Sequence, residues 1–214
     1  MAKIKAVLFD LDGTLRDTKD IIIDAYMHAV EVHNGRRPSL QELQPHIHHH
    51  SEVYKALSAH VAYEPWLETY RTKLSTAWME APFFEHAEKS LAELKMAGLR
   101  LAVVTSAEYE RTIEYLSYRN IDQYFEVVVA MRDGFRPKPA PDMMLEALRQ
   151  LDCAPEETVA IGDMITDVQA AHAAGIRCIG ITHRFASRKE LEMAGADEII
   201  DSLAPFPGKI QQMK

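Results

Sequence analysis

The sequence predicts an α/β fold, a doubly wound parallel sheet with an inserted all-helical segment. Short apolar segments that are continuous rather than alternating indicate strands of a parallel sheet covered on both faces. Helical patterns fall between these segments, as the crossovers of such a sheet require. A long block without a strand pattern follows the first segment and predicts the insertion.

Six segments carry the strand pattern, and the last is weak enough to be an edge strand. Most are rich in Val and Ile and are bounded by polar residues or Gly. The predicted strands cover residues 4–9, 100–105, 126–130, 158–162, 177–181 and 198–200. The helical patterns between them cover residues 86–98, 109–120, 140–151 and 165–175, and Gly175 is expected to cap the last helix.

The block without strands is predicted to be a helical subdomain with its own small core. It contains both tryptophans, Trp66 and Trp78, and we interpret its aromatic residues as that core rather than as a ligand-binding box. The predicted organisation is therefore an α/β core of residues 1–16 and 85–214, with a helical subdomain of residues 17–84.

Composition and charge argue against several kinds of partner and against a membrane-spanning protein. The formal net charge of −8 and the scattered Lys and Arg residues argue against a nucleic-acid partner or an anionic membrane surface. No apolar run reaches the roughly 18 residues that span a bilayer, and no signal-peptide pattern is present, so a cytoplasmic location is expected. Cys153 and Cys178 form neither a disulfide framework nor a metal-binding pair by their spacing.

Two carboxylates end the first predicted strand, in the stretch "AVLFDLDGT". Residues two apart in a strand face the same way, so Asp10 and Asp12 can converge on one point. That point lies beyond the carboxyl end of the strand, where open α/β sheets bind ligands. Mg²⁺, which prefers hard oxygen ligands, would offset the repulsion of the two carboxylates. Gly13 and Thr14 turn the chain there and could offer N–H groups and a hydroxyl to an anion.

A second acidic pair, Asp163 and Asp167 in "GDMITD", follows the fourth predicted strand. Asp163 is expected at the same edge of the sheet as Asp10. A single strand-end aspartate is best explained as a helix cap or as a partner of the helix dipole. Several of them at the carboxyl ends of one sheet favour a ligand site instead.

Two further stretches could bind phosphate. Thr105 and Ser106 end the second predicted strand just before a helix, so they form either a phosphate-binding point or a simple N-cap. Lys138 lies between Pro137 and Pro139, which stiffen its loop. A cation held in this way can screen the carboxylates and neutralise a bound phosphate.

These stretches together resemble the four motifs of the haloacid dehalogenase-like hydrolase superfamily. "DLDGT" resembles the first motif, Thr105 the second, Lys138 in "KPAPD" the third and "GDMITD" the fourth, in the same order and with similar spacing. The resemblance covers residues 1–16 and 85–214 and implies a Rossmann-like core. The insertion resembles the helical cap of phosphoglycolate phosphatase-like members.

The resemblance implies a role for each matching residue. Asp10 would be the nucleophile that forms an aspartyl-phosphate, and Asp12 the general acid and then the base. Mg²⁺ would be held by Asp10, by Asp163 and by the main-chain carbonyl of Asp12. Asp167 would support Asp163 or Lys138.

The phosphoryl oxygens would be held by Thr105 and Lys138, with Ser106 and Gly13 as further phosphate-binding candidates. The sequence departs from the family's pattern at three places. Ser106 replaces a common Asn, and Arg136-Pro137 replaces a common Gly before the lysine, which affects the phosphate geometry but not the reaction class. Arg16 stands where a small or apolar residue is usual. It could reach an anionic substrate, but a surface location is the favoured interpretation.

A cluster of histidines lies in the segment that resembles the cap. Its members are His46, His48, His49 and His50. The resemblance places this part of the cap near the active site, so His48, His49 and His50 are candidates for contacts with the substrate. A polar helix end is the favoured interpretation, and adventitious transition-metal binding is a further alternative.

The leading hypothesis is a Mg²⁺-dependent phosphatase of a small phosphorylated metabolite. An acid at position 12 disfavours the dehalogenase branch, and nothing around Lys55 or Lys73 indicates the Schiff base of the phosphonate-cleaving branch.

A phosphosugar mutase and an inorganic pyrophosphatase remain alternatives with the same chemistry. A non-catalytic binding or regulatory protein is an alternative of another class. The presence of Asp10, Asp12 and Asp163 argues against it, because a catalytically dead variant would be expected to lose one of them. A signalling receiver domain would lack the insertion. The sequence specifies neither the substrate nor the oligomeric state.

Overall fold

A computed structural model describes residues 3–47, 50–75, 77–132 and 134–213. Its six strands form one parallel sheet in the order β3-β2-β1-β4-β5-β6. The strands are β1 Ala6–Phe9, β2 Arg100–Glu108, β3 Val127–Met131, β4 Thr158–Gly162, β5 Arg177–Ile181 and β6 Glu198–Ile200. The predicted fold class, a doubly wound parallel sheet with an inserted helical segment, is confirmed.

Ten α-helices lie within the described residues. Four belong to the insertion, namely α1 Lys19–Asn34, α2 Leu40–Leu43, α3 His50–Leu57 and α4 Tyr63–Ser75. The other six are α5 Ala87–Met96, α6 Tyr109–Tyr118, α7 Asp142–Leu151, α8 Ile165–Ala173, α9 Arg188–Met193 and α10 Phe206–Gln212. No helix among the described residues is both long and apolar enough to cross a bilayer.

The central strand β1 shows why the strands are continuous apolar runs. All four of its residues are buried, because helices cover both faces of the sheet. Leu8 belongs to the core layer that contains Met143 and Val168 of α7 and α8. Phe9 points to the opposite layer, where its ring meets that of Phe206 of α10 edge to face at 5.7 Å. The strict alternation of side chains along a strand produces these two layers.

The chain divides into two compact units. One consists of Met1–Asp17 and Phe83–Lys214, and the other of Thr18–Pro82. In the second unit the rings of Tyr26 and Tyr70 stack with centroids 4.6 Å apart, and Trp66 is fully buried. Aromatic packing therefore forms the core of the helical unit.

Candidate active site

The register of the sheet brings two predicted carboxylates to the same edge. Phe9 at the end of β1 pairs with Ile161 near the end of β4. Asp10, the next residue, donates its backbone N–H to the carbonyl of Ile161 at 2.9 Å. Asp163 follows the end of β4 and is fully buried, and Asp10 is 8% exposed. Both aspartates therefore lie beyond the carboxyl ends of neighbouring central strands.

A third carboxylate and a lysine complete a buried cluster. Carboxylate oxygens of Asp10, Asp163 and Asp167 all lie within 4.8 Å of one another. The Nζ of Lys138 donates to Oδ1 of Asp10 at 2.8 Å and to Oδ1 of Asp167 at 2.6 Å. The other oxygen of Asp167 accepts the N–H of Met164 at 3.0 Å. We call Asp10, Asp163, Asp167 and Lys138 the acidic cluster.

Burial and mutual repulsion dominate the electrostatics of the acidic cluster. Burial raises the pKa of Asp10 to about 7, against the pull of the Lys138 ammonium and with the help of the Asp167 charge. Burial, and then the charges of Asp10 and Asp167, raise the pKa of Asp163 well above its usual value. Burial lowers the pKa of Lys138, but the neighbouring carboxylates outweigh burial and hold that pKa above its usual value. Binding of a further cation would therefore stabilise the ionised carboxylates of the acidic cluster.

Asp12 is not part of the acidic cluster, and its carboxylate binds an arginine. The Nε of Arg16 donates to Oδ1 of Asp12 at 2.7 Å, and Nη2 donates to Oδ2 at 3.2 Å. The Arg16 side chain is fully buried, and its guanidinium lies 4.1 Å from the ring centroid of Tyr115. The expected surface location of Arg16 is therefore wrong. The carboxylate of Asp12 and the face of the Tyr115 ring compensate for the cost of removing the Arg16 charge from water.

Thr105 and Ser106 do not cap a helix, so the interpretation as a simple N-cap is wrong. Strand β2 continues past Thr105 to Glu108, which pairs with Met131 of β3 after a register shift. The residue that precedes helix α6 is therefore Glu108 and not Ser106. The buried Thr105 hydroxyl accepts the N–H of Ala107 at 3.1 Å, and Ser106 is exposed. The phosphate-binding role of Thr105 and Ser106 remains a prediction.

Comparison with known proteins identifies the family of this chain. Residues 7–181 match the model of the family described as haloacid dehalogenase-like hydrolase. The chain belongs to the haloacid dehalogenase-like hydrolase family. The predicted resemblance is therefore confirmed.

Several relatives of this haloacid dehalogenase-like hydrolase carry names that state an activity. "Putative pyrophosphatase PpaX" of Caldanaerobacter subterraneus is 35% identical, over 84% of this chain and 82% of that protein. Pyrophosphatase PpaX of Bacillus mycoides is 29% identical over 94% of both proteins. A crystal structure from Clostridium acetobutylicum, described as a predicted phosphatase, has a TM-score of 0.87 and 26% identity over 99% of this chain and 100% of that one. The prediction of an enzyme of phosphatase type in this hydrolase family is confirmed.

One loop of the hydrolase site was missed by the sequence analysis. The loop after β5 covers residues 182–187, and the N–H of Phe185 donates to Oδ2 of Asp163 at 3.3 Å. The N–H of Ala186 donates to the Asp163 carbonyl at 3.1 Å. The ring of His183 approaches the carbonyl of Thr14 at 3.2 Å through Nδ1. This loop could have been predicted from the sequence. Open α/β sheets bind ligands beyond the carboxyl ends of their strands, and the loop follows the carboxyl end of β5.

The histidine cluster is only partly covered by the structure. His48 and His49 lie outside the described residues. His50 begins α3, and its Nδ1 lies 2.7 Å from the hydroxyl of Tyr63. His46 ends a short turn of 3₁₀ helix after α2. The contacts with substrate predicted for His48, His49 and His50 remain predictions.

Gly13 allows the first motif to approach Asp163 closely. Its φ is +89°, and a Cβ at this position would lie 2.2 Å from Oδ2 of Asp163. Its N–H donates to the carbonyl of Arg16 at 2.8 Å, which commits this N–H to the turn. The hydroxyl of Thr14 lies 3.5 Å from the other oxygen of Asp163. Only glycine fits this backbone conformation and this contact together.

We expect Gly13→Ala to lower the free energy of unfolding by about 3 kcal/mol, because backbone strain and overpacking act together. Phosphatase activity should fall as well, since the added methyl group displaces Asp163. Gly98→Ala is the matched control, because Gly98 has a φ of +79° with nothing within 4 Å of the added Cβ. The control should cost only about 1 kcal/mol. Equal losses in urea unfolding of the two variants would contradict the contact with Asp163.

Proposed function

We propose that this chain is a Mg²⁺-dependent phosphatase that hydrolyses a small phosphorylated metabolite through an aspartyl-phosphate on Asp10. The observation that carries the proposal is the buried contact of Asp10 with Lys138, beside Asp163 and Asp167. A nucleophilic carboxylate, a fixed cation and further oxygen ligands are the parts that phosphoryl transfer requires. Membership of the haloacid dehalogenase-like hydrolase family supports the same chemistry.

The donor set of the acidic cluster fits Mg²⁺. Three buried carboxylates face one ammonium group, so the cluster carries excess negative charge when all of them are ionised. Carboxylate oxygens are hard ligands of the kind that Mg²⁺ selects. Asp10 and Asp163 would hold the ion with their side chains, and Asp12 with its main-chain carbonyl. When bound, Mg²⁺ would neutralise charge on the phosphoryl group.

In the first step a carboxylate oxygen of Asp10 attacks phosphorus, and the bond from phosphorus to the leaving oxygen breaks. Asp12 gives its proton to that oxygen, so the product leaves as an alcohol. Lys138 and Thr105 hold the equatorial phosphoryl oxygens, where negative charge develops. In the second step Asp12 takes a proton from water, whose oxygen attacks the phosphorus. Inorganic phosphate leaves and the carboxylate of Asp10 is regenerated.

Pyrophosphate is a second candidate substrate. The observation that favours it is the similarity to proteins named pyrophosphatase PpaX, at 35% and 29% identity. The reaction would follow the same two steps, with phosphate as the leaving group. A phosphosugar mutase is a weaker alternative, because it has to protect its aspartyl-phosphate from water.

A phosphate-release panel tests the proposal. It comprises sugar phosphates, glycerol phosphate, phosphoglycolate, p-nitrophenyl phosphate and pyrophosphate, each assayed with Mg²⁺ and with EDTA. We expect release from at least one compound, with a loss of about 10³-fold or more when EDTA removes the metal. A kcat/KM highest for pyrophosphate would select the second candidate. Absence of release from every compound, or release unaffected by EDTA, would contradict the proposal.

A further inference from the structure

We propose that His183 is a positioning residue that fixes the carboxylate of Asp163 and thereby sets the affinity of the site for Mg²⁺. This inference rests on the proposed function, in which the side chain of Asp163 is one of the ligands of the ion. His183 contacts neither the ion nor the substrate in this proposal. Its contribution is to join two segments of the chain, each of which contacts Asp163.

The first segment is the turn of Gly13 and Thr14, which contacts both oxygens of the Asp163 carboxylate. Gly13 packs so closely that a Cβ at its position would lie 2.2 Å from Oδ2 and 2.7 Å from Oδ1. The hydroxyl of Thr14 lies 3.5 Å from Oδ1. A displacement of this turn would therefore change the orientation of the carboxylate.

The second segment is the loop of residues 182–187, which supplies two N–H groups to Asp163. The N–H of Phe185 donates to Oδ2 at 3.3 Å. The N–H of Ala186 donates to the main-chain carbonyl of Asp163 at 3.1 Å. The loop thus contacts both the side chain and the backbone of Asp163. Groups that hydrogen-bond to a metal ligand orient it and tune its affinity for the metal.

His183 joins this loop to the turn through one hydrogen bond, with Nδ1 3.2 Å from the carbonyl of Thr14. Because a carbonyl only accepts, Nδ1 carries the hydrogen of this bond, whether the ring is neutral or protonated. Thr14 is fully buried, and the described part of the chain supplies no other hydrogen bond to its carbonyl. A buried carbonyl requires a partner, so His183 satisfies the turn as well as holding it against the loop.

Packing holds the imidazole of His183 in place. Its ring lies against that of Phe84, with the ring centroids 3.9 Å apart. The N–H of Phe84 donates to the carbonyl of Leu15 at 3.0 Å, so Phe84 is itself attached to the residue that follows Thr14. An apolar side chain could cover Phe84 equally well, so packing alone does not require a nitrogen at this position. The bond to Thr14 does require it.

A second link between the two segments is an ion pair at the surface. The Nε of Arg184 donates to Oδ2 of Asp17 at 2.9 Å, and the two side chains are 40% and 20% exposed. Ion pairs that are open to solvent contribute little, whereas the hydrogen bond of His183 ends on a buried carbonyl. The link that holds the walls of the Asp163 site together is therefore that of His183.

The test measures the binding of Mg²⁺ without substrate, by titration calorimetry. His183→Leu keeps an apolar contact with Phe84 but removes the donor to Thr14. We expect the dissociation constant for Mg²⁺ to rise about tenfold, as is typical when a group that supports a metal ligand is lost. With saturating Mg²⁺, kcat should stay within about threefold of the wild-type value, because no group that touches the substrate has changed.

Two further variants at the same position separate the donor from the ring. The amide nitrogen of His183→Asn can take the place of Nδ1, so this variant should restore the dissociation constant for Mg²⁺ to within about twofold of the wild-type value. The amide of His183→Gln lies one carbon further out, so this variant should resemble His183→Leu. It carries the test if His183→Leu does not fold.

His172→Leu is the matched control. It removes another histidine hydrogen bond, in which Nε2 lies 3.0 Å from Oδ2 of Asp197. His172 is in the last turn of α8, at the end of that helix far from Asp163. This variant should bind Mg²⁺ with the wild-type dissociation constant.

The two proposals can fail separately. A wild type that binds Mg²⁺ but releases phosphate from no compound of the panel would overturn the proposed function. An active wild type, together with wild-type Mg²⁺ affinity of His183→Leu, would overturn the role of His183 alone. Equal rises of the dissociation constant in His183→Leu and His183→Asn would do the same, because the donor would then not matter. A wild type that binds no Mg²⁺ would overturn both proposals.

Discussion

Asp10→Asn is expected to reduce phosphate release by at least about 10³-fold, because a neutral amide replaces the attacking carboxylate. The effect should appear with every substrate of the panel, since no substrate bypasses the nucleophile. Acid quenching of the wild-type enzyme during turnover, followed by peptide mass spectrometry, should find a phosphoryl group on the peptide that contains Asp10. The variant should show no such group.

The same substitution should leave the fold intact and should not lower the melting temperature in EDTA. Asp10 is buried beside two other carboxylates, and burial raises its pKa to about 7, so removal of its charge relieves repulsion. Lys138 keeps a partner, because Asp167 lies 2.6 Å from its Nζ. An inactive variant with a markedly lower melting temperature would leave unfolding as the cause of the lost activity and would contradict this expectation.

The strands and the convergence of the carboxylates could be predicted because both depend on local sequence. Continuous apolar runs are typical of strands buried on both faces, and β1 is buried throughout. Parallel strands end at a common edge, so Asp10 and Asp163 meet once their own strands, β1 and β4, pair with each other in register. Neither conclusion requires knowledge of a distant side chain.

The position of Arg16 could not be predicted, because its burial depends on residues far along the chain. The carboxylate of Asp12 is a neighbour in sequence, but the ring of Tyr115 reaches Arg16 only through the packing of α6. The extension of β2 past Thr105 likewise depends on the pairing of Glu108 with Met131 of β3. Local propensity carries no information about such contacts, and a buried charge is improbable until its partners are known.

Lys138→Met is expected to abolish activity and to lower the free energy of unfolding by about 3 kcal/mol in EDTA. The side chain of Lys138 is 3% exposed, and its removal leaves buried carboxylates facing one another without a cation. The measurement is urea unfolding together with phosphate release. Lys209→Met is a control for loss of an exposed ion pair, because Lys209 binds Glu198 at 2.7 Å with both side chains 40% exposed. It should cost less than about 1 kcal/mol.

The double variant Lys138→Met with Asp10→Asn separates the two contributions of the lysine. Removing the Asp10 charge as well reduces the repulsion that the first substitution exposes, so the double variant should regain part of the lost stability in EDTA. Activity should stay absent, because the nucleophile is gone. A double variant less stable than Lys138→Met would mean that Asp10 is stabilising without its cation, which contradicts the raised pKa of that carboxyl. A Lys138→Met enzyme as stable as the wild type would instead show that the buried carboxylates avoid repulsion by taking up protons. Lys138 would then contribute to phosphoryl transfer but not to the stability of the fold.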